Sequence, residues 1–242
     1  MTGLAVEQVS KSFGGLRVLS DISFSVAEGE TVGIMGANGA GKTTLFSLIA
    51  GHGRPDAGDI RLGQRSLLGL SPDRICRMGI ARTFQIVKPF GGLSVLDNVV
   101  VAALYGNPER PSQRDAETQA ASALAAVGLA DRAHDLAETL TLSGQKRLEV
   151  ARALGTGARF LLLDEVMAGL TPTEVAEMLG LIAAIRQRHR LTLLIIEHVM
   201  RALMQQSDRI LVLHHGELIA AGDPEAIARD PTVLRVYYGE DA

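Results

Sequence analysis

The segment GANGAGKT, residues 36–43, has the residue types and spacing of a phosphate-binding loop. It fits the pattern G-x-x-x-x-G-K-[ST] and lies directly after a predicted strand, at the start of a predicted helix. The glycines allow successive backbone N–H groups to turn inward around phosphate oxygens, and the helix N-terminus adds partial positive charge. Lys42 supplies a mobile charge for the β- and γ-phosphates, and the Thr43 hydroxyl is a ligand for Mg²⁺. The segment therefore predicts a nucleotide-phosphate site.

An acidic pair, Asp164 and Glu165, ends the apolar stretch FLLLDE at residues 160–165. A phosphate loop that supports hydrolysis needs a metal anchor and a group that activates water. We expect Asp164 to hold Mg²⁺ directly or through water. We expect Glu165, facing the other way along the strand, to act as general base. The alternative is that two acidic residues simply end a strand.

A third candidate is LSGQ, residues 142–145, at the start of a predicted helix. Ser143 and the N–H groups behind it are expected to form a second anion site at a helix N-terminus. One chain cannot easily use two anion sites on one nucleotide, so this motif points to a facing partner chain. The alternative is an ordinary N-capped helix.

The elements that must position these residues change character along the chain. Periodicity predicts strands at 4–9, 17–26 and 31–35, then a helix from Gly41 that stops at Gly51, and a loop-rich region to about Arg82. Ser94, three residues before Asp97, predicts a capped helix start. Further predicted helices are 94–104, 116–127, 144–154, 173–188 and 199–206, and further strands are 160–166, 191–197 and 209–214. Buried strands separated by helices predict a mainly parallel sheet, and the helical stretch from about 88 to 155 reads as a subdomain inserted into one domain of residues 1–242.

Composition excludes several classes of protein. The 242 residues are 47% hydrophobic and 21% charged, which is typical of a globular chain. Lys and Arg total 24 against 27 Asp and Glu, so the net charge of -3 gives no support to bulk attraction for nucleic acid. The longest apolar run covers only residues 99–105, whereas a membrane-spanning helix needs roughly 20 residues, and we expect no spanning segment or secretory signal. The lone Cys76 excludes an intrachain disulfide and fits a reducing cytoplasm.

Together, the phosphate loop, LSGQ and the acidic strand resemble the ATP-binding subunit of an ABC transporter over essentially the whole chain. The resemblance implies an α/β P-loop ATPase with a mainly parallel core sheet, an antiparallel β lobe and an inserted helical subdomain. It also implies ATP and Mg²⁺ as ligands. ATP would bind between the phosphate loop of one chain and LSGQ of a facing chain, and hydrolysis would reopen the dimer. A plain P-loop kinase or GTPase is disfavoured by LSGQ and by the paired acids.

The resemblance assigns further residues. Gln85 is similar to a glutamine that senses Mg²⁺ or the attacking water, and His198 to a histidine that contacts the γ-phosphate, with a core histidine as the alternative. Phe13, with Val18 nearby, lies where an aromatic stacks on adenine, and a core strand aromatic is the alternative. The implied nucleotide contacts are Phe13, Val18, Gly36, Ala37, Asn38, Gly39, Ala40, Gly41, Lys42, Thr43 and Thr44, with Ser143, Gly144 and Gln145 of the facing chain. Catalytic roles fall to Lys42, Gln85, Glu165 and His198, and metal contacts to Thr43, Gln85 and Asp164.

Some residues distinguish branches of the family. Val166 stands where proline is usual, and Thr171 where an aspartate contacts the opposite subunit. These departures, with GIARTFQ at 79–85 and the ending VYYGE at 236–240, most resemble the branched-chain amino acid uptake branch. The alternatives are the ATPase of a lipopolysaccharide or lipid exporter and that of a urea or amide importer. A soluble ABC-type ATPase acting on nucleic acid or ribosomes is a rival of another class, which usually needs a coiled-coil insertion or tandem ATPase units.

The implied partners are transmembrane permease subunits, a homologous or identical ATPase subunit and, indirectly, a substrate-binding protein, but not nucleic acid. The chain would then lie on the inner face of the cell membrane. The connector IVKPFGGL, residues 86–93, contains Val87, Phe90 and Leu93, which a solvated loop does not need. They either fold back into the helical lobe or line a groove for a short helix of the membrane subunit.

Overall fold

A computed structural model describes residues 3–107, 109–197 and 200–238. The chain divides into two compact units. The first contains the described residues up to Ser71 and those from Thr192 onward, and the second is Pro72–Leu191. Segments from both ends of the chain therefore build the first unit.

The secondary structure alternates between strands and helices along most of the chain. The strands are β1 (Leu4–Phe13), β2 (Leu16–Val26), β3 (Thr31–Met35), β4 (Ala57–Leu62), β5 (Arg65–Ser66), β6 (Ile80–Arg82), β7 (Phe160–Asp164), β8 (Thr192–Ile196), β9 (Arg209–His214) and β10 (Glu217–Gly222). The α-helices are α1 (Lys42–Ile49), α2 (Pro72–Arg77), α3 (Val95–Gly106), α4 (Gln113–Ala126), α5 (Leu142–Gly155), α6 (Pro172–His189), α7 (Met200–Gln206), α8 (Pro224–Arg229) and α9 (Pro231–Tyr238).

The first unit contains an antiparallel sheet in the order β2-β1-β4-β5. Leu4 and Val6 alternate as buried residues of β1, and beyond a register shift Val9 is also buried and pairs with Ile22 of β2. Ile60 of β4 is buried opposite Val6. This period-2 burial gives the sheet one apolar face.

A second group of strands in the first unit carries the phosphate loop. β3 runs parallel to both β8 and β9, and β10 returns antiparallel to β9. All residues of β3 and β8 are buried, as expected for parallel strands covered on both faces. Gly33 allows close packing, because a Cβ there would lie 2.8 Å from Leu203 of α7. The carboxyl end of β3 leads directly into Gly36.

The second unit contains the parallel pair β6 and β7, in which Arg82 lies opposite Leu162. Helices α3, α4 and α5 lie between these strands in sequence. Ser94 caps α3, since its side chain accepts from the Asp97 N–H, as predicted. Helices α3 and α5 approach closely at Gly155, where a Cβ would lie 2.7 Å from Val99 Cγ1.

The predicted α/β class, with its parallel strands and antiparallel β lobe, is confirmed. Within the described residues, no helix combines the length and apolar character that crossing a membrane requires. The helices α3 to α5 fall inside the stretch 88–155, and its standing as an inserted subdomain stays a prediction.

Several predicted boundaries are wrong. The region to Arg82 is not simply loop, because it holds β4, β5, α2 and β6, which are short and so carry little periodic signal. The strand predicted to reach residue 166 ends at Asp164, because Glu165 has a positive φ of 51°. Helix α5 begins at Leu142 rather than at Gly144. The elements β10, α8 and α9 were not predicted.

Candidate functional site

The phosphate loop joins β3 to α1 through backbone conformations that favour glycine. Gly39 has φ of 81° and Gly41, the N-cap residue of α1, has φ of 103°. A Cβ on Gly41 would lie 2.6 Å from Leu19 Cδ2 and 2.8 Å from the Val18 carbonyl oxygen. Ala37, Asn38, Gly39 and Thr43 are exposed, Gly36, Ala40, Gly41 and Lys42 are buried, and Thr44 is half-buried. The loop is therefore a backbone cradle whose rim faces solvent.

Lys42 spans the cradle. Its side chain is buried, with 5% of the residue exposed. The ammonium donates to the carbonyl oxygens of Gly36, at 2.6 Å, and Ala37, at 3.0 Å. The charge is thus held inside the loop that is expected to receive phosphate. A buried ammonium bound to neutral carbonyls is well placed to meet an anion.

A neighbouring turn fixes the loop from the other side. The Gly216 N–H donates to the Ala40 carbonyl at 3.2 Å, and the Ser20 N–H donates to the Gly216 carbonyl at 2.8 Å. A Cβ on Gly216 would lie 2.4 Å from the same Val18 carbonyl oxygen that approaches Gly41. Val18 is therefore packed against the loop through its backbone.

Phe13 lies at the end of β1 and is 57% exposed. The Lys11 ammonium lies 5.4 Å from the centre of its ring. The alternative of a core aromatic is therefore wrong, and an aromatic face is available on the surface. Its stacking on adenine stays a prediction.

In the second unit, Asp164 is buried at the end of β7. Its Oδ2 accepts from Arg82 Nη2 at 2.7 Å, and its N–H donates to Thr83 Oγ1 at 3.1 Å. Oδ1 has no hydrogen-bond partner among the residues that the structure describes. A buried carboxylate oxygen normally has a partner, so Oδ1 fits the role of a metal or metal-water ligand.

Glu165 follows in a left-handed backbone conformation, which is uncommon outside glycine and is frequent at functional sites. Its Oε2 accepts from Gln85 Nε2 at 2.7 Å. Its carbonyl oxygen accepts from Lys146 Nζ at 3.0 Å. Glu165 therefore does not simply alternate with Asp164 along a strand, as expected from sequence, but is turned by its own backbone towards Gln85.

The N-terminus of α5 differs from its prediction. Thr141, not Ser143, is the capping residue, and its Oγ1 accepts from the Gly144 N–H at 3.2 Å. Ser143 lies in the first turn and is only 8% exposed, whereas Thr141 and Leu142 are exposed. Gln145 Nε2 donates to the Leu140 carbonyl at 3.1 Å. The helix predicted to begin at Gly144 therefore begins two residues earlier, because Thr141 takes the cap, and the part of Ser143 in an anion site stays a prediction.

Thr171 also has a local role in the structure. It caps α6 in a capping box with Glu174, where each residue accepts from the other's backbone N–H. The Thr171 N–H and the Thr171 hydroxyl both donate to the Glu174 carboxylate, and these two hydrogen bonds hold the pKa of that carboxyl below its usual value. Threonine in place of the usual aspartate therefore serves the start of α6.

Three charged residues around Gln85 were not predicted from the sequence. Arg82, Lys146 and Glu149 contact the backbone or side chains of the candidate site, and no motif marks them. His198 lies outside the described residues. Its role at the γ-phosphate stays a prediction.

Comparison with known proteins identifies relatives of nearly full length. The high-affinity branched-chain amino acid transport ATP-binding protein LivG of Salmonella typhimurium is 41% identical over 98% of each chain. BraF of Pseudomonas aeruginosa, which has the same description, is 39% identical over 98% of each chain.

Solved structures give the same result. MJ1267, an ATP-binding cassette of an ABC transporter solved in its ADP conformation, superimposes with a TM-score of 0.89 at 28% identity, over 99% of this chain and 100% of that one. CbiO1 from Clostridium perfringens, part of the transporter complex cbiONQ, gives a TM-score of 0.84 at 26% identity, over 96% and 92%. Residues 19–168 match the ABC transporter family itself. The family resemblance of the sequence is confirmed, and the chain belongs to the ABC transporter family.

Proposed function

We propose that this chain is the ATP-hydrolysing subunit of a membrane importer for branched-chain or related amino acids. The hydrolytic part is supported chiefly by Glu165, a buried carboxylate that Gln85 orients at 2.7 Å. The substrate class is supported by the similarity to LivG and BraF, which extends over 98% of each chain.

The residues divide into binding and catalytic roles. The backbone N–H groups of residues 36–44 and the Lys42 ammonium bind the phosphates. Phe13 and Val18 contact the adenine. Glu165 accepts a proton from the attacking water, and Gln85 keeps its carboxylate oriented.

Thr43 and Asp164 are the residues that would hold Mg²⁺, with Gln85 as a third contact. The fit rests on the exposed Thr43 at the start of α1 and on the buried Oδ1 of Asp164, which accepts no hydrogen bond from the described residues. When bound, Mg²⁺ neutralises charge on the phosphate oxygens. Arg82 holds the other oxygen of Asp164, which leaves Oδ1 as the ligand atom.

A second ATPase subunit, identical or homologous, completes the arrangement. The N-terminus of α5 presents Thr141 and Leu142 at the surface, followed by Ser143, Gly144 and Gln145. Helix N-termini attract anions because their first N–H groups lack partners within the helix. We assign this end of α5 to the nucleotide bound by the partner. The exposed Thr141 would contact that nucleotide, whereas Ser143 is buried in the first turn.

Docking on a permease is supported by an apolar patch formed by Phe90, Leu93 and Leu136. Phe90 is 47% exposed, Leu93 38% and Leu136 44%, which disfavours the alternative that the connector folds back into the helical lobe. The Leu93 N–H donates to the Phe90 carbonyl, and the Ala137 N–H donates to the Leu93 carbonyl, so backbone hydrogen bonds hold the patch together. An exposed apolar patch marks an interaction surface. This docking would place the chain on the inner face of the membrane, with a substrate-binding protein as an indirect partner.

An exporter of lipopolysaccharide is a second candidate. The lipopolysaccharide export protein LptB of Acidithiobacillus ferridurans is 39% identical over 98% of this chain and 97% of its own. Urea or amide import is a third candidate within the same branch.

The test is reconstitution with the transmembrane proteins that co-purify with the chain. We expect ATP-dependent uptake of radiolabelled leucine into vesicles. Phe90→Asp should abolish co-purification and uptake while the purified subunit still binds nucleotide, because a charge in the patch opposes apolar docking. Tyr105→Asp is the matched control, since Tyr105 is an exposed aromatic outside the patch.

Normal uptake with Phe90→Asp would remove this patch from the docking surface. Co-purification with lipopolysaccharide-export partners, without leucine uptake, would favour the second candidate. Uptake of urea or an amide in place of leucine would favour the third.

A further inference from the structure

Helix α5 buries two charged side chains on one face. Lys146 and Glu149 are 3% and 7% exposed and stand three residues apart, so they lie on neighbouring turns of the same side. Burial of a charge is unfavourable unless its polar atoms find partners. The partners of these two residues are therefore informative.

Lys146 joins the two residues of the candidate general-base site. Its ammonium donates to the Glu165 carbonyl at 3.0 Å and to the Gln85 carbonyl at 3.2 Å. The side chains of these residues are themselves hydrogen-bonded, Gln85 Nε2 to Glu165 Oε2. The Lys146 ammonium thus connects the main chain of Gln85, whose side chain donates, to that of Glu165, whose carboxylate accepts. The relative position of these two side chains matters for catalysis.

Glu149 holds the segment that carries Gln85. Its Oε2 accepts from the Phe84 N–H at 2.8 Å. Its Oε1 lies 3.7 Å from Arg152 Nη1. The Arg152 guanidinium lies 5.2 Å from the centre of the Phe90 ring and donates to the Lys88 carbonyl at 3.4 Å. The residues on both sides of Gln85 are therefore attached to α5.

We propose that Lys146 and Glu149 are positioning residues for hydrolysis, which fix the main chain at Phe84, Gln85 and Glu165 so that the Gln85 side chain keeps the Glu165 carboxylate in one orientation. This inference rests on the proposed function of Glu165. A hydrogen-bonded catalytic group loses much of its effect when its geometry is disturbed by a fraction of an ångström. The pair acts through Gln85 and Glu165.

The chemistry of Glu149 gives the pair a pH dependence. Burial raises the pKa of the Glu149 carboxyl, and the Phe84 N–H, Arg152 and Lys146 offset this only in part. A raised pKa in an acid means that the folded protein protonates it at a higher pH than an exposed glutamate. As the pH falls, Glu149 therefore loses its charge early and accepts less strongly from Phe84.

The first experiment measures kinetics of the full chain. Wild-type ATP hydrolysis is measured first, because its absence would contradict the proposed function rather than this inference. We expect Lys146→Met to lower kcat about tenfold or more, with KM changed less than about twofold, and Lys146→Arg to restore part of the rate. Arg147→Met is the matched control. Arg147 lies beside Lys146 on α5 but forms its ion pair with Glu177 of α6. A wild-type kcat in Lys146→Met, or a loss confined to KM, would overturn the assignment.

The pH profile tests Glu149. Glu149→Gln keeps an oxygen that accepts from Phe84 but does not titrate, so the acid limb of kcat should move to lower pH. Glu149→Leu removes the acceptor and should lower kcat at every pH. An acid limb that is identical in wild type and Glu149→Gln would overturn the role of Glu149.

Hydrogen exchange supplies a readout that needs no hydrolysis. Glu149→Leu should raise the exchange rate of the Phe84 amide about tenfold, whereas Glu149→Gln should leave it near the wild-type rate. Unchanged exchange at Phe84 in Glu149→Leu would overturn the inference even if the wild type proved inactive towards ATP.

Discussion

The phosphate loop and the segment around Glu165 use different chemical groups: the loop relies on its backbone, and the segment on charged and polar side chains. In the loop, backbone groups face the expected ligand, and the single buried charge, Lys42, is held by the loop's own carbonyl oxygens. Around Glu165, side chains from distant parts of the sequence act, including Arg82, Gln85 and Lys146. The loop needs glycines at fixed spacing, whereas the Glu165 region needs several buried charges to satisfy one another.

This difference predicts different responses to mutation. A backbone cradle fails when a side chain alters its dihedral angles or fills its space. A network of buried charges fails when one member is removed, because its partner is left unpaired. Preorganised charges are also a large source of catalytic power, so the second region should control rate more than affinity.

The largest expected effect is on ATP hydrolysis, and one substitution in each region distinguishes loss of rate from loss of binding. Glu165→Gln should lower kcat by about 10²- to 10⁴-fold and keep nucleotide binding, because an amide cannot accept the proton of water. Lys42→Ala should lose hydrolysis chiefly through weaker phosphate binding. Nucleotide affinity by fluorescence and steady-state hydrolysis check both variants. Hydrolysis at a near wild-type rate in Glu165→Gln would exclude its role as base.

A smaller effect tests how far the phosphate loop depends on its backbone conformation. Gly41→Ala places a Cβ 2.6 Å from Leu19 and demands a positive φ, so we expect nucleotide affinity to fall at least about tenfold. Gly29→Ala is the control, because Gly29 lies outside the phosphate loop and also has a positive φ, of 81°, but no described atom lies within 4 Å of the added Cβ. It should show only the conformational cost, about 1–2 kcal/mol of folding stability.

Thermal unfolding and nucleotide titration distinguish the two contributions. Equal losses of affinity in both variants would mean that lower folding stability, rather than the filled space beside Leu19, weakens nucleotide binding. No loss in Gly41→Ala would contradict the close packing against Val18.

The sequence predicted the phosphate loop well because its requirements are local. Glycine spacing, a preceding apolar strand and a following helix all fall within residues 31–49. The strands β3, β7, β8 and β9 were also found, since continuous apolar runs mark buried parallel strands. By contrast, β4 buries only Ile60, and its region was interpreted as loop.

The network around Glu165 was only half predictable. Asp164 and Glu165 were predicted from the acidic end of an apolar strand, and Gln85 was found by resemblance. The hydrogen bond between Gln85 and Glu165, however, joins residues that lie far apart in the sequence. Nothing local distinguishes Lys146 or Glu149 from the solvated charges of an ordinary helix. Their burial arises only when α5 packs against the segment that follows β6.

The start of α5 shows a local failure of the same kind. Ser143, Gly144 and Gln145 look like a capped helix start, yet Thr141 is also a favoured capping residue and stands earlier. Because the first suitable hydroxyl ends the extended segment, Ser143 falls inside the helix and is buried. Either the Thr141 or the Ser143 hydroxyl could therefore contact the nucleotide of a facing chain.

The smallest expected effect concerns these two hydroxyls. In the Glu165→Gln background, where ATP is bound but not hydrolysed, Thr141→Glu should weaken ATP-dependent dimerisation about tenfold, because its carboxylate repels the partner's phosphates. The same carboxylate suits a helix N-terminus, so α5 should remain folded. Ser143→Ala should leave dimerisation unchanged, since Ser143 is buried in the first turn of α5. Light scattering across an ATP titration checks both. Weakened dimerisation in Ser143→Ala with no effect of Thr141→Glu would return the role to Ser143 and contradict the assignment drawn from burial.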